Sequence, residues 1–167
     1  ELHRLILDEI LVRFGVSTLT EQQTRQLNKV WHRLDAWPDS VEGLTRLKSR
    51  YLICTLSNGN LGLLANMAKH AGLPWDCVLS AEVFKQYKPH PDVYLGVADI
   101  FEIAPEEVVL VAAHHGDLAA ARSCGLETAY VERPLEYGIA NLKDVSPNPE
   151  NTLHAESIGH LATLLDC

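Results

Sequence analysis

At 167 residues, 47% hydrophobic and 22% charged, the chain has the make-up of one compact globular unit and not of a disordered or fibrous protein. A formal net charge of -8 argues against broad attraction to nucleic acid or to anionic membrane surfaces, both of which need clustered Lys and Arg, and leaves a small molecule as the expected partner. No apolar run approaches the ~20 residues that span a bilayer, and the first residues lack the basic-then-apolar pattern of a signal peptide, so a cytoplasmic location is expected.

The sequence opens inside a helical pattern. Leu2, Leu5, Ile6, Ile10 and Leu11 recur at helical spacing, which predicts an amphipathic helix over 1–14 and the expectation that these residues are the later part of something longer. Gly15 ends that helix, and Ser17 to Thr20 offer caps for a second one running through Trp31 and His32, so the pair forms a helical hairpin. Asp35-Ala36-Trp37-Pro38-Asp39 breaks the pattern and marks a joint, dividing a helical region at 1–36 from a second region at 37–167. A short helix at 40–48 follows.

Tyr51-Leu52-Ile53-Cys54-Thr55-Leu56 is apolar without alternation, as expected of a strand covered on both faces in a parallel sheet. It stops at Ser57-Asn58-Gly59. Such residues are common at turns and helix caps, and they also stand where an open α/β sheet binds anions, so both readings are open here. Leu61, Leu64, Ala65 and Ala68 line one face of a helix that ends near Gly72. Strand and helix then alternate: strands at 77–80, 108–112 and 127–131, helices over Pro91 to Phe101 and Leu118 to Cys124. That order implies crossovers and a parallel sheet flanked by helices. Beyond Pro134 the chain reads as loop until a closing helix at Ser157 to Leu165. Cys54, Cys77, Cys124 and Cys167 form no C-x-x-C pair, and the first three lie in apolar stretches, so buried free thiols are expected.

Three polar clusters fall at or just after strand ends: Ser57-Asn58, Lys88-Pro89-His90-Pro91-Asp92-Val93-Tyr94, and His114-His115-Gly116-Asp117. In a parallel sheet these ends share one edge, so the clusters converge. Two prolines at alternate positions after Lys88 give it a stiff, extended lead-in that fixes where its ammonium points, although a lone loop Lys is as readily a solvated one. Adjacent His114 and His115 diverge and lack a carboxylate or thiol at ligand spacing, so no metal site is expected.

With Ala119-Ala120-Ala121 and Gly125 after Asp117, and Thr55 and Tyr87 ahead of the first two clusters, the three segments resemble the second, third and fourth motifs of the haloacid dehalogenase superfamily, closest to the type II (S)-2-haloacid dehalogenases. The resemblance runs from about residue 1 to 135 or beyond. It implies a Rossmann-like parallel core with flanking helices, covered by a helical cap that the 1–36 hairpin would largely form. It also implies hydrolytic conversion of short 2-haloacids to 2-hydroxyacids, in which an Asp on the first strand displaces halide and forms an ester that water cleaves. Carried over residue by residue, Ser57 and Asn58 would meet the substrate carboxylate or the halide side. Lys88 would hold the nucleophile and stabilise charge on the ester, Asp117 would anchor Lys88 and help place the hydrolytic water, and Tyr94 would lie near the substrate. Where many of these enzymes have Ser and Asn before the last Asp, this chain has Ala112 and His114, and His114 is counted with the substrate-binding residues.

The first motif, an Asp ahead of a Gly-Thr turn, is absent, and Asp8 and Asp35 follow no apolar strand that could supply it. Residues 1–167 alone are therefore expected to be inactive, with a central strand missing between those at 51–56 and 108–112. The open edges would close up, take the strand from elsewhere, or pair with another copy as a homodimer or strand-pairing oligomer. No cofactor is expected. The superfamily's magnesium-dependent phosphatases place a metal-binding Asp four residues before the position of Asp117, where this chain has Ala113. Beside that phosphatase reading stands a non-catalytic chain whose cleft binds an anion or a partner.

Overall fold

A computed structural model describes residues 2–167; Glu1, at the head of the first expected helix, lies outside the described residues. Helices α1 (Leu2–Arg13) and α2 (Glu21–Asn28) form the hairpin. Thr20 and Gln23 cap α2 reciprocally: the Thr20 hydroxyl accepts from the Gln23 N–H, and the Gln23 side chain accepts from the Thr20 N–H at 2.8 Å. Arg4 of α1 grips Asp8 on its own helix and forks onto Glu21 of α2, with both Arg4–Glu21 bonds at 2.8 Å. The second helix does not run as one α-helix through His32. It tightens into a 3-10 turn over Lys29–Arg33, where Val30, Trp31 and His32 are weak helix formers. This turn packs on α4 (Leu61–Ala71), with Asn66 bonded to His32 at 2.9 Å.

The expected joint is built around Asp39. Its carboxylate accepts from the Ile158 N–H at 2.7 Å and from Arg133 at 2.9 Å, while the Arg133 guanidinium lies over the Trp37 ring. Helix α3 (Ser40–Lys48) then packs against α8 (Ile158–Leu164), capped by Ser157. They meet at Gly43, where an added Cβ would come within 2.7 Å of the Ile158 and Gly159 backbone. Arg46 crosses the same seam, donating to Gly159 O, Thr163 Oγ1 and Cys167 O at 2.8–3.1 Å. Leu44, Leu47, Leu161 and Ala162 form one core with Ile53, Ala129, Val131 and Ala155.

Every strand pairing is parallel, as the alternation of strands and helices requires. Strands β1 (Cys54–Ser57) and β2 (Cys77–Ser80) pair with Cys54 opposite Cys77 and Ser57 opposite Ser80. Strands β3 (Val109–Ala112), β4 (Glu127–Val131) and β5 (Leu153–Ala155) form a second sheet in that order. The strands thus divide into two sheets where a single one was expected, because among the described residues nothing pairs with the facing edges of β1 and β3. The division falls between β1 and β3. Val109 and Val111 of β3 are left 42% and 40% exposed, unusual for an apolar strand in an α/β core.

Helices α5 (Ala81–Phe84), α6 (Pro91–Phe101) and α7 (His115–Ser123) complete the layers. A second core joins Tyr94, Leu110, Leu118, Ala121, Leu126 and Tyr130, with Leu56 of β1 against it, so both sheets share packing despite the gap. All four cysteines are free, but none is fully buried as expected for the first three. Cys54 sits on the open edge strand, and its partial burial, reinforced by Cys77 and Asp76, pushes its thiol up to about 11.

Candidate active site

Ser57 ends β1, and its Oγ accepts from the Gly59 N–H at 3.0 Å, closing the tight turn into α4, which Asn60 then caps. Because the hydroxyl is an acceptor in that turn, its own O–H remains available as a donor. The turn reading and the site reading of Ser57-Asn58-Gly59 are thus compatible.

Asn58, expected at the substrate, is bonded here to the Lys88 backbone. Its Oδ1 accepts from the Lys88 N–H at 2.7 Å and its Nδ2 donates to the Lys88 carbonyl at 3.1 Å, clamping the Lys88 backbone from both sides. The Lys88–Pro89 peptide is cis, and Pro91 opens α6 behind the His90 cap. Held this way, the Lys88 Nζ reaches Asp117 Oδ2 at 2.6 Å, with the two side chains only 17% and 20% exposed.

Asp117 lies on the first turn of α7 and its second oxygen is also taken. Tyr94, fully buried on α6, donates its hydroxyl to Asp117 Oδ1 at 2.6 Å. Desolvation, aided by the Asp117 carboxylate, drives the Tyr94 hydroxyl far above its ordinary value, so it stays a donor throughout the working pH range. Tyr94 therefore stands behind Asp117 as a support. The ammonium carries three N–H bonds and Asp117 uses one, which leaves donors for an anion at the edge between β1 and β3.

The His114 side chain, expected near the substrate, makes no bond with this trio; only the residue's backbone carbonyl does, accepting from the Asp117 N–H at 3.2 Å. The ring Nε2 of His114 meets Glu136 Oε1 at 2.8 Å; Glu136 Oε2 accepts from Lys143 Nζ at 2.5 Å, and Lys143 also donates to Ala113 O at 2.5 Å. Burial alone would raise the Glu136 carboxyl, but the bonds from Lys143 and His114 outweigh it and hold it below its ordinary range. Glu136 and Lys143 lie in the segment past Pro134 that reads as plain loop, and no spacing in the sequence marks them. His115 turns the other way and stacks on Tyr130, their centroids 4.3 Å apart. The metal-ligand set of the phosphatases does not fit here, because Ala113 offers only its carbonyl and Lys143 occupies that.

A family model described as haloacid dehalogenase-like hydrolase matches residues 3–125. (S)-2-haloacid dehalogenase 4A of Burkholderia cepacia is 37% identical over 124 residues, covering 71% of this chain and 54% of that protein. (S)-2-haloacid dehalogenase 1 of Pseudomonas sp. (strain CBS-3) is 34% identical over 140 residues, covering 80% of this chain and 61% of its own length. The chain thus spans about half the length of the curated relatives it matches. Among solved structures, the defluorinating L-2-haloacid dehalogenase Rha0230 superposes with a TM-score of 0.94 at 42% identity, covering 99% of this chain and 69% of that one. The L-2-haloacid dehalogenase PA0810 gives 0.92 at 43% identity, covering 98% and 72%. With its α/β architecture and three motif segments brought together through Asn58, Lys88 and Asp117, the chain belongs to the haloacid dehalogenase-like hydrolase family.

Proposed function

We propose that this site serves the hydrolytic dehalogenation of short 2-haloacids to 2-hydroxyacids, through an ester on an aspartate carried by a strand that fills the slot between β1 and β3. The observation that carries the reading is the Lys88–Asp117–Tyr94 set at the mouth of that slot, a fixed and partly desolvated ammonium with donors to spare. The aspartate attacks C2, the halide leaves with the electron pair of its bond, and water then cleaves the ester at its carbonyl. Lys88 holds the attacking carboxylate and stabilises negative charge as the ester is formed and cleaved, a role an ammonium fills best where water is excluded. The free O–H of Ser57 donates to the substrate carboxylate. Asn58 fixes Lys88, Tyr94 fixes Asp117, region 1–36 covers the cleft and 37–167 forms the core.

The resemblance to named 2-haloacid dehalogenases supports this chemistry. A phosphoglycolate phosphatase of Nitrosococcus oceani (strain ATCC 19707 / BCRC 17464 / JCM 30415 / NCIMB 11848 / C-107) is also similar, at 26% identity, but the phosphatase reading lacks a metal-binding carboxylate at Ala113. The test is halide release from 2-chloropropionate against phosphate release from phosphoglycolate. Both are measured on residues 1–167 alone and with an added peptide bearing an aspartate on a β-strand sequence. Halide release that needs the peptide and no added metal is expected. Magnesium-dependent phosphate release, or halide turnover by residues 1–167 alone, overturns the reading.

A further inference from the structure

We infer that Asn58-Gly59 is a site of spontaneous deamidation that the bonds around it hold off, so that the clamp which places Lys88 also sets how long the site lasts. It is the one Asn-Gly pair in the chain; the other asparagines precede Lys29, Leu61, Met67, Leu142, Pro149 and Thr152. Asparagine is thermolabile because its side-chain carbon lies within reach of the next backbone nitrogen. Glycine leaves that nitrogen uncovered and lets the backbone turn toward the side chain. Asn58 is exposed, so water has access to it. Nothing in this chemistry needs the dehalogenase reading.

In the step itself the Gly59 nitrogen gives its proton to hydroxide and bonds to Asn58 Cγ, and the Cγ–Nδ2 bond breaks with loss of ammonia, closing a cyclic imide. Water then adds to one of the two imide carbonyls and breaks its bond to nitrogen. Opening at the side-chain carbonyl leaves aspartate; opening at the main-chain carbonyl leaves isoaspartate, with an extra methylene in the chain. One water enters and one ammonia leaves, and the rate rises with pH because the attacking nitrogen must lose its proton.

The surrounding bonds oppose that attack. Asn58 Oδ1 accepts from the Lys88 N–H at 2.7 Å while Nδ2 donates to the Lys88 carbonyl at 3.1 Å, so Cγ cannot rotate toward Gly59 without losing both. The Gly59 N–H donates to Ser57 Oγ at 3.0 Å, which holds the proton the attack must shed. Beyond Gly59, Asn60 Oδ1 accepts from the Leu63 N–H and Glu82 Oε2 from the Leu61 N–H, each at 2.7 Å, so the head of α4 is pinned and the peptide before it has little freedom to turn. Conversion undoes the clamp. A carboxylate at position 58 still accepts from the Lys88 N–H, but it has no hydrogen for the Lys88 carbonyl, and an oxygen faces that carbonyl where the amide nitrogen stood. The Lys88 backbone is then held from one side only.

The test follows residues 1–167 at pH 8.5 and 37 °C by peptide mapping and mass spectrometry, with the other asparagines as internal reference. Unfolded in guanidinium chloride, Asn58 should convert ahead of all the others. In the folded protein it should convert at least about tenfold more slowly, the factor that one hydrogen bond of ordinary strength supplies. Ser57→Ala frees the Gly59 N–H and should raise the folded-state rate about three- to tenfold. If that variant folds poorly, Glu82→Ala, which unpins the Leu61 N–H, is read in its place. Asn58→Asp should reproduce the lowered urea midpoint of the converted protein. Equal rates folded and unfolded, a folded variant whose rate stays within about twofold of the parent, or an Asn58 that converts no faster than Asn60 in denaturant, overturns the inference. An Asn58→Asp protein with the parent's urea midpoint overturns the release of Lys88.

Discussion

Replacing Tyr94 by Phe removes one hydroxyl from a fully buried position and nothing else. That hydroxyl donates to an ionised carboxylate at 2.6 Å, and hydrogen bonds to charged groups contribute ~1.5–3 kcal/mol. Asp117 keeps its bond to Lys88 in the variant, so no charge is left unpaired and the loss falls at the low end, about 1.5 kcal/mol. Asp117→Ala is a different perturbation. It strands an ammonium whose side chain is only 17% exposed and orphans the Tyr94 hydroxyl, and breaking a buried pair from one side costs about 3 kcal/mol or more. With a urea m-value of about 2 kcal/mol per M, the midpoints should fall by about 0.7 M for Tyr94→Phe and at least about 1.5 M for Asp117→Ala. In Asp117→Ala the further change Tyr94→Phe should then be nearly neutral, since the bond is already gone. An unmoved midpoint in Tyr94→Phe, or additive losses in the double variant, would refute the picture of a carboxylate held between two donors.

The α3–α8 seam predicts that Gly43→Ala lowers stability by about 3 kcal/mol, because the new methyl meets backbone at 2.7 Å that cannot swing aside. Gly62→Ala on α4, whose nearest neighbour is a side-chain oxygen 3.6 Å away, should be neutral or stabilising; equal thermal shifts in the two variants would contradict this. At the joint, burial alone would raise the Asp39 carboxyl, but the Ile158 N–H and Arg133 prevail and hold it low. A depressed carboxyl contributes stability above its unfolded pKa, near ~3.9, and loses it as pH falls through the folded value. Asp39→Asn should therefore be less stable at pH 7 and approach the parent in acid, as urea midpoints between pH 7 and pH 2.5 would register.

How far the sequence could be read follows from where its signals come from. Strands β2 and β4 fall at the expected residues because short apolar runs between turn signals leave few other registers. Strand β1 begins three residues later than the apolar run at 51, and Tyr51 and Leu52 ahead of it are exposed. Strand β5 is invisible: three residues, Leu153-His154-Ala155, follow a polar stretch with two prolines, and only pairing with β4 makes them a strand. The same holds for the site. Lys88 is legible because its prolines stiffen a local segment, and the geometry around it follows that expectation. The bond that Asn58 makes is not, since its amide answers a backbone thirty residues away. Glu136 and Lys143 carry no local pattern at all; what brings them to His114 is the path of the loop after β4.

The seam between α3 and α8 also sets an order in time. Arg46 and its acceptor on Gly159 are 113 residues apart, so at ~5–20 residues per second the ribosome makes α3 roughly ten seconds before the helix that covers it. Through that interval Leu44 and Leu47, which end at 7% and 6% exposed, have no lid. Nascent chains stalled before residue 158 should therefore hold chaperones at the 40–48 segment and release them once residues 158–167 are clear of the exit tunnel. Helix α8 is the latch of this core, and anything that delays its emergence lengthens the period in which Leu44 and Leu47 stand uncovered.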